Sequence, residues 1–369
     1  MSDDVSQVFP QAADASVELD QVQAAACRHI SAAFQTDAAL VTSGASASLL
    51  LGAAAILARF DLAIMDRLPD SSGIHNELIV ARNHRNGYDH AVRTAGAKLV
   101  EVGLDELSSG AGVRRCELWE YEAAMHSGTA GILYALTDVS KPPLNDVVKL
   151  AHAKNLPVLV DAAAEVTSVT DMQKILATGA DLIAVSGGKS LGGPQSTGIL
   201  CGSKELVGSA FLQMMDNDDH FELWQPPEEF VTKSMLRGIP RHGIGRPLKV
   251  SKESILALLV AIDQIQQTDQ KEKRQNYVRW LELLEKGISK TLFACRLIDD
   301  TMPTLEIEIP ADANKNAFEV CRQLRQSDPS IYVGHGKLEE GIVVINPSCL
   351  SEDQLAPLEY QIVTQLESI

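Results

Sequence analysis

One lysine stands among glycines in SGGKSLGGPQSTG, Ser186 to Gly198, directly behind the apolar run DLIAV. A lysine there has two chemical uses. As a fixed cation it grips a phosphate; as an amine it forms a Schiff base with an aldehyde. The first use needs the loop G-x-x-x-x-G-K-[ST], and Gly188-Lys189-Ser190 supplies only its end. The opening glycine would fall at Ile183, inside the apolar run. No loop is left to wrap a triphosphate. Nor does the spacing of Gly187, Gly188, Gly192 and Gly193 fit G-x-G-x-x-G.

The second use needs a phosphate cradle and an electron sink, and pyridoxal phosphate is the cofactor that matches. Asp161 ends the apolar run of VLVDAAAE, where a carboxylate can face a protonated ring nitrogen. Read alone, it serves equally as a helix N-cap or an ion-pair member. Thr42-Ser43-Gly44 precedes an Ala/Leu-rich helix, whose first N–H groups attract an anion. Ser186, three residues before Lys189, adds a hydroxyl for the same phosphate. His84 follows the run ELIVA. There its ring either stacks on a flat cofactor or lies on the surface.

These residues need a scaffold. AALVT, ELIVA, KLVEV, AGILYAL, LPVLVD, DLIAVS and TGILCG read as strands, with helical stretches between most of them. The apolar runs do not alternate, which predicts a mostly parallel α/β sheet covered by helices on both faces. Chemistry in such sheets collects beyond the carboxyl ends of the strands. Thr42, Asp161 and Ser186 all stand there. WQPPEEFVTKSMLRGIPRHGIGRPLKVSKE breaks the rhythm with a loop holding Arg237, Arg241, His242, Arg246, Lys249 and Lys252. One long helix is expected from about Ser251 to Leu284, and then a smaller α/β unit. The expected domains are 1–248 and 249–369.

The chain has 369 residues, a formal net charge of -17 and 45% hydrophobic residues. That suffices for a large core and speaks against nucleic acid as a partner. Its six cysteines lack zinc spacing, so no metal is expected, and reduced thiols fit a cytoplasmic protein. No signal peptide or membrane span is expected.

VSGGKSLGGPQSTGILCG resembles the lysine motif of fold-type I pyridoxal-phosphate enzymes. Within them it is similar to the selenocysteine-synthase-like branch, which typically shows S-G-D-K-x-L-G-G-P-Q. This chain has Gly188 where that branch often has Asp. PLNDVVKLAHAKNLPVLVDAAAEV and LVTSGASASLLLGAAA match the aspartate segment and the phosphate turn. The resemblance implies a seven-stranded-type, mostly parallel large domain and a smaller C-terminal α/β domain. It makes Lys189 the Schiff-base residue, with Asp161 on the pyridine nitrogen, His84 on the ring and Ala163 beneath it. Ser43, Gly44, Ala45, Ser46 and Ser186 surround the phosphate. It also implies a homodimer or higher homo-oligomer with active sites at the interface. Gln195, Ser196 and Thr197 would then reach the neighbouring cofactor.

The reaction is narrowed by departures. The acidic chain has only a short segment before the cofactor domain, so no tRNA substrate is expected. No arginine precedes the late strand of YVGHGKLEEGIVVIN, where many aminotransferases hold a carboxylate; His335 and Lys337 stand there. RGIPRHGIGRPLKVSKE resembles the D-glucosaminate-6-phosphate ammonia-lyases. The expectation is a lyase performing α,β-elimination with ammonia release on a small anionic amino acid or amino sugar acid. Arg82, Arg241, His242, Arg246 and Lys249 would bind that substrate. The basic cluster reads alternatively as a solvated loop or a clamp on acidic neighbours. An aminotransferase, aldolase or β-replacement enzyme is the alternative, and a catalytically silent interaction protein a distant one.

Overall fold

The computed structural model describes residues 1–104, 114–289, 293–300 and 302–367. They form two units, Met1–Gln267 and Thr268–Ile369. In the first, the strands are β1 Ala38–Thr42, β2 Glu77–Ala81, β3 Lys98–Val102, β4 Thr129–Ala135, β5 Val158–Asp161, β6 Leu182–Ser186 and β7 Gly198–Gly202. They make one sheet in the order β1-β7-β6-β5-β4-β2-β3. β2 to β6 run parallel, while β7 is antiparallel to both neighbours.

The non-alternating strands have a direct cause. Successive side chains point to opposite faces, and each face has its own core. Leu40, Leu78, Leu133, Leu159 and Leu182 enter one. Val41, Ile79, Ile132, Val160 and Ile183 enter the other. β3 departs from the expectation of two buried faces: it is the sheet edge, and Lys98 and Glu101 are exposed. The first three helices are α1 Asp3–Ala13, α2 Leu19–Phe34 and α3 Ala45–Ala58. α3 is buried from Ala47 to Ala58, which explains a helix of little but alanine and leucine.

α2 closes the edge at β1. Gln23 Nε2 donates to Val41 O at 2.8 Å, and Val41 N donates to Gln23 Oε1 at 3.1 Å. One turn on, Ala39 N points at Cys27 Sγ at 3.3 Å. Two side chains four residues apart thus satisfy backbone groups that an edge strand otherwise exposes.

The division between units falls after residue 267, not at 248/249. The helix Lys252–Gln267 buries Ile255, Leu258 and Ile262 in the core of the large sheet. Lys252 Nζ also donates to Ala12 O at 2.5 Å, at the end of α1. The single long helix expected from Ser251 is in fact two, Lys252–Gln267 and Gln270–Ile288. Asp269 separates them. Its carboxylate accepts from Lys271 N and Glu272 N at 2.8 and 3.2 Å and so starts the second helix.

The second unit holds β8 Cys295–Ile298, β9 Thr304–Glu308 and β10 Ile342–Ile345 in an antiparallel sheet, order β10-β9-β8. Three helices cover its core around Leu305, Ile307 and Leu324. Glu306 of β9 is buried and ion-paired with both Arg296 and Lys337. Lys337, noted above where aminotransferases place an arginine, is therefore engaged inside this unit. Among the described residues no helix is long and apolar enough to cross a membrane.

Candidate active site

The carboxyl ends of the strands bring the chemistry together. Thr42 of β1 and Ser186 of β6 face Gly198 of β7 from its two sides. The turn Ser43-Gly44 therefore meets the start of β7 beside the end of β6, although more than a third of the chain separates them in sequence. A Cβ at Gly198 would lie 2.3 Å from Gly44 C and 2.7 Å from Ala45 N, so only glycine admits this approach. Thr42 Oγ1 and Ser48 Oγ satisfy one another at 2.8 Å. No side chain caps the first turn of α3, which leaves its N–H groups to an anion.

Asp161 ends β5, beside Ala135 of β4 and Ala184 of β6. Burial raises its carboxyl above the ordinary range; the N–H of Ala163, donating at 3.2 Å, and the charge of Lys189 work against that rise. Lys189 is exposed, on the turn after β6. That turn folds back on itself: Gly187 N donates to Thr197 O at 2.8 Å and Gly193 N to Gly187 O at 2.9 Å. A Cβ at Gly188 would sit 2.4 Å from Gln195 Cα. The aspartate of the related motif has no room here, which accounts for the glycine.

His84 closes the 3-10 turn Arg82–His84 after β2 and is 5% exposed. It lines one cleft with Asp161, Leu49, Val92 and Leu133. The imidazole stands edge-on to Tyr134, 4.5 Å between centroids at 77°. Neither ring nitrogen has a hydrogen-bond partner. Burial lowers its pKa from 6.5 to about 4. The ring is neutral at physiological pH.

That shift has a measurable consequence. The unfolded chain takes up a proton near pH 6.5 and the folded chain only near 4, so stability is present above that window and lost as pH falls through it. The full effect is about 3 kcal/mol. Replacing His84 with Phe should remove this part of the acid lability, read as denaturant midpoints at several pH values. An unchanged acid profile would contradict the assignment.

Other expected site residues are placed differently. Thr197 is fully buried and its hydroxyl donates to Pro194 O at 2.6 Å, while Gln195 and Ser196 are exposed. Arg82 pairs with Glu101 at 3.2 Å. Arg246 and His242 both hold Asp216, at 2.6 and 2.9 Å. The clamp on acidic neighbours is thus what these two form, because Asp216 and Asp218 lie on the loop opposite. Arg241 and Lys249 are exposed. Asp216, Asp218 and His242 bring their ligand atoms within 4.8 Å of one another, all exposed, and the Arg246 guanidinium already occupies the Asp216 carboxylate. Sequence reading missed Asp89, a buried carboxylate in the His84 cleft, and its partner Arg85. The signal was there: an Arg and an Asp four residues apart, just after a strand end.

Comparison with known proteins completes the picture. The aminotransferase class-V family model matches residues 139–216, the segment holding Asp161, Ser186 and Lys189. A solved D-glucosaminate-6-phosphate ammonia-lyase superposes with a TM-score of 0.80, covering 100% of this chain and 92% of that one at 25% identity. The chain has the fold-type I architecture. Among curated relatives, D-glucosaminate-6-phosphate ammonia lyase of Salmonella typhimurium is 28% identical over 367 residues, 96% of this chain and 88% of the relative. A 5'-C-glycyluridine monooxygenase-decarboxylase of a Streptomyces species is 27% identical over 385 residues, 100% of this chain and 86% of the relative. The L-seryl-tRNA(Sec) selenium transferase of Desulfotalea psychrophila is 33% identical over 129 residues, but across only 31% of this chain and 26% of its own.

The fold-type I family implies pyridoxal phosphate, and the cleft fits it. A buried, unpartnered, uncharged imidazole faces the space, a carboxylate lies at a strand end, and the Gly44–Gly198 contact shapes a cradle at an uncapped helix start.

Proposed function

We propose that this chain is a pyridoxal-phosphate-dependent lyase that eliminates ammonia from a small anionic 2-amino-3-hydroxy acid or amino sugar acid. The observation that carries the reading is Asp161, facing one cleft with His84 while feeling the charge of Lys189. The bound cofactor would supply the electron sink that makes the substrate Cα–H acidic.

The chain's own residues divide the remaining work. Asp161, remaining ionised, would hold a proton on the ring nitrogen of the bound cofactor, and its partial burial would strengthen that pairing. The neutral ring of His84 would shield the cofactor from water. The start of α3, with Ser43, Gly44, Ala45, Ser46 and Ser186, would take the phosphate. Lys189 Nζ would be the covalent anchor, and its free amine would accept the substrate Cα proton. Loss of the β-hydroxyl as water and hydrolysis of the released enamine give a 2-keto-3-deoxy acid and ammonia. Water lost in one step returns in the other. Arg241 and Lys249, exposed cations of the basic loop, are the proposed anion contacts. A homodimer, with Gln195 and Ser196 reaching the second copy, belongs to the same proposal.

The similarity to the Streptomyces monooxygenase-decarboxylase spans the whole chain and supports a second reading, in which turnover consumes oxygen and releases carbon dioxide. One panel of D- and L-configured hydroxy amino acids and amino sugar acids separates the two. Ammonia with an equal amount of keto acid, and no oxygen uptake, is the expected result. Oxygen uptake with carbon dioxide release would move the assignment to the second reading. Amino transfer to a keto acid would replace both.

A further inference from the structure

The cleft holds a second carboxylate that the proposed chemistry does not use. Asp89 begins the helix Asp89–Thr94, is 5% exposed, and lines the same space as His84 and Asp161. Its charge reaches Asp161 and opposes ionisation there. A ligand cation arriving at Asp161 thus enters a space with two carboxylates, Asp89 buried and Asp161 half-buried.

Arg85 answers that problem. Its guanidinium ion-pairs with Asp89, four residues on, and with Glu101 of β3. Arg82 extends the row to the other oxygen of Glu101 at 3.2 Å. The charges therefore alternate from Arg82 through Glu101 and Arg85 to Asp89. The ionisable groups beyond Asp89 include Tyr88 on the cleft wall, His84, which is neutral, and Asp161 with its neighbours Lys189 and Glu165.

We propose that Arg85 is a positioning residue: by pairing with Asp89 it leaves Asp161 the one cleft carboxylate open to a cationic ring nitrogen. It touches neither ring nor substrate and acts through Asp89. This rests on the reading that the cleft takes pyridoxal phosphate. Its geometry is independent of that reading, because a buried carboxylate stripped of its cation is costly in any protein.

The test compares the wild type with Arg85→Met, Asp89→Asn and the double variant. Two readouts are used: melting without cofactor, and uptake of pyridoxal phosphate followed by its visible absorbance. In Arg85→Met the buried Asp89 carboxylate loses its cation, so the cofactor-free protein should melt below wild type. Cofactor uptake should weaken at least about ten-fold. Adding Asp89→Asn should restore most of the lost melting temperature and return uptake to within about three-fold of wild type. A loss in Arg85→Met that is not repaired by Asp89→Asn would overturn the proposal, since Arg85 would then be a strap on Glu101 alone. Wild-type protein that takes up no pyridoxal phosphate would overturn the functional reading instead, and the cofactor-free melting series would still judge Arg85.

Discussion

Lys189→Ala should lose the borohydride-sensitive visible absorbance of the loaded protein and, with it, turnover. Lys189 carries two proposed tasks at one nitrogen, the covalent bond and the Cα proton. Loss of a positioned base alone costs on the order of 10²- to 10⁴-fold, so the combined loss should reach the upper end or beyond. The substitution is mild for the fold, because Lys189 is exposed on a turn held by backbone hydrogen bonds from Gly187 and Gly193. Melting of the cofactor-free protein should stay close to wild type. Pyridoxal phosphate should still bind, through the phosphate cradle and Asp161, but reversibly and without the reducible linkage. An alanine variant that keeps a reducible linkage would place the covalent bond on another lysine and remove the basis for the functional reading.

Gly198→Ala should be among the costliest additions of a single methyl group in the large unit. The new Cβ would meet backbone, not a side chain that can swing away: Gly44 C at 2.3 Å, Gly44 O at 2.6 Å and Ala45 N at 2.7 Å. Overpacking of this kind usually costs about 1–3 kcal/mol, and rigid neighbours put this case at the high end. The strain must push the Ser43–Ser46 turn off the start of β7. Both the denaturant midpoint and the affinity for pyridoxal phosphate should fall, while pyridoxal without its phosphate should lose much less. Equal loss for both ligands would show that Gly198 serves the sheet and not the cradle.

Much of this was legible in the sequence because the site is made of strand ends, and strand ends are easy to see. VLVD and DLIAVS stop abruptly at Asp161 and Ser186, and the parallel register places both at the carboxyl end of the sheet. The failures share a cause as well. The basic loop looked like an anion site because only its own charges were counted; Asp216 and Asp218, more than twenty residues earlier, claim His242 and Arg246. Thr197 looked free because a hydroxyl shows no partner until the turn closes on Pro194 O. The helix break at Asp269 was hidden because the residues on both sides favour helix. Asp89 was overlooked since a buried ion pair and a surface one share the same i, i+4 spacing.

The place of β7 in the sheet has a consequence for how the chain is made. β1 is at the sheet edge and its in-sheet neighbour is β7, with Ala38 paired to Gly202. During synthesis the apolar strand AALVT emerges long before any partner strand can reach it. Contacts that distant slow folding and leave hydrophobic surface exposed to aggregation in the interval. α2 offers a local remedy. Gln23 already meets both backbone groups of Val41 from eighteen residues away, so a helix made just earlier can hold the strand in place. The phosphate cradle is then among the last features of the large unit to assemble, completed when the ribosome delivers the glycine that the cradle rests on.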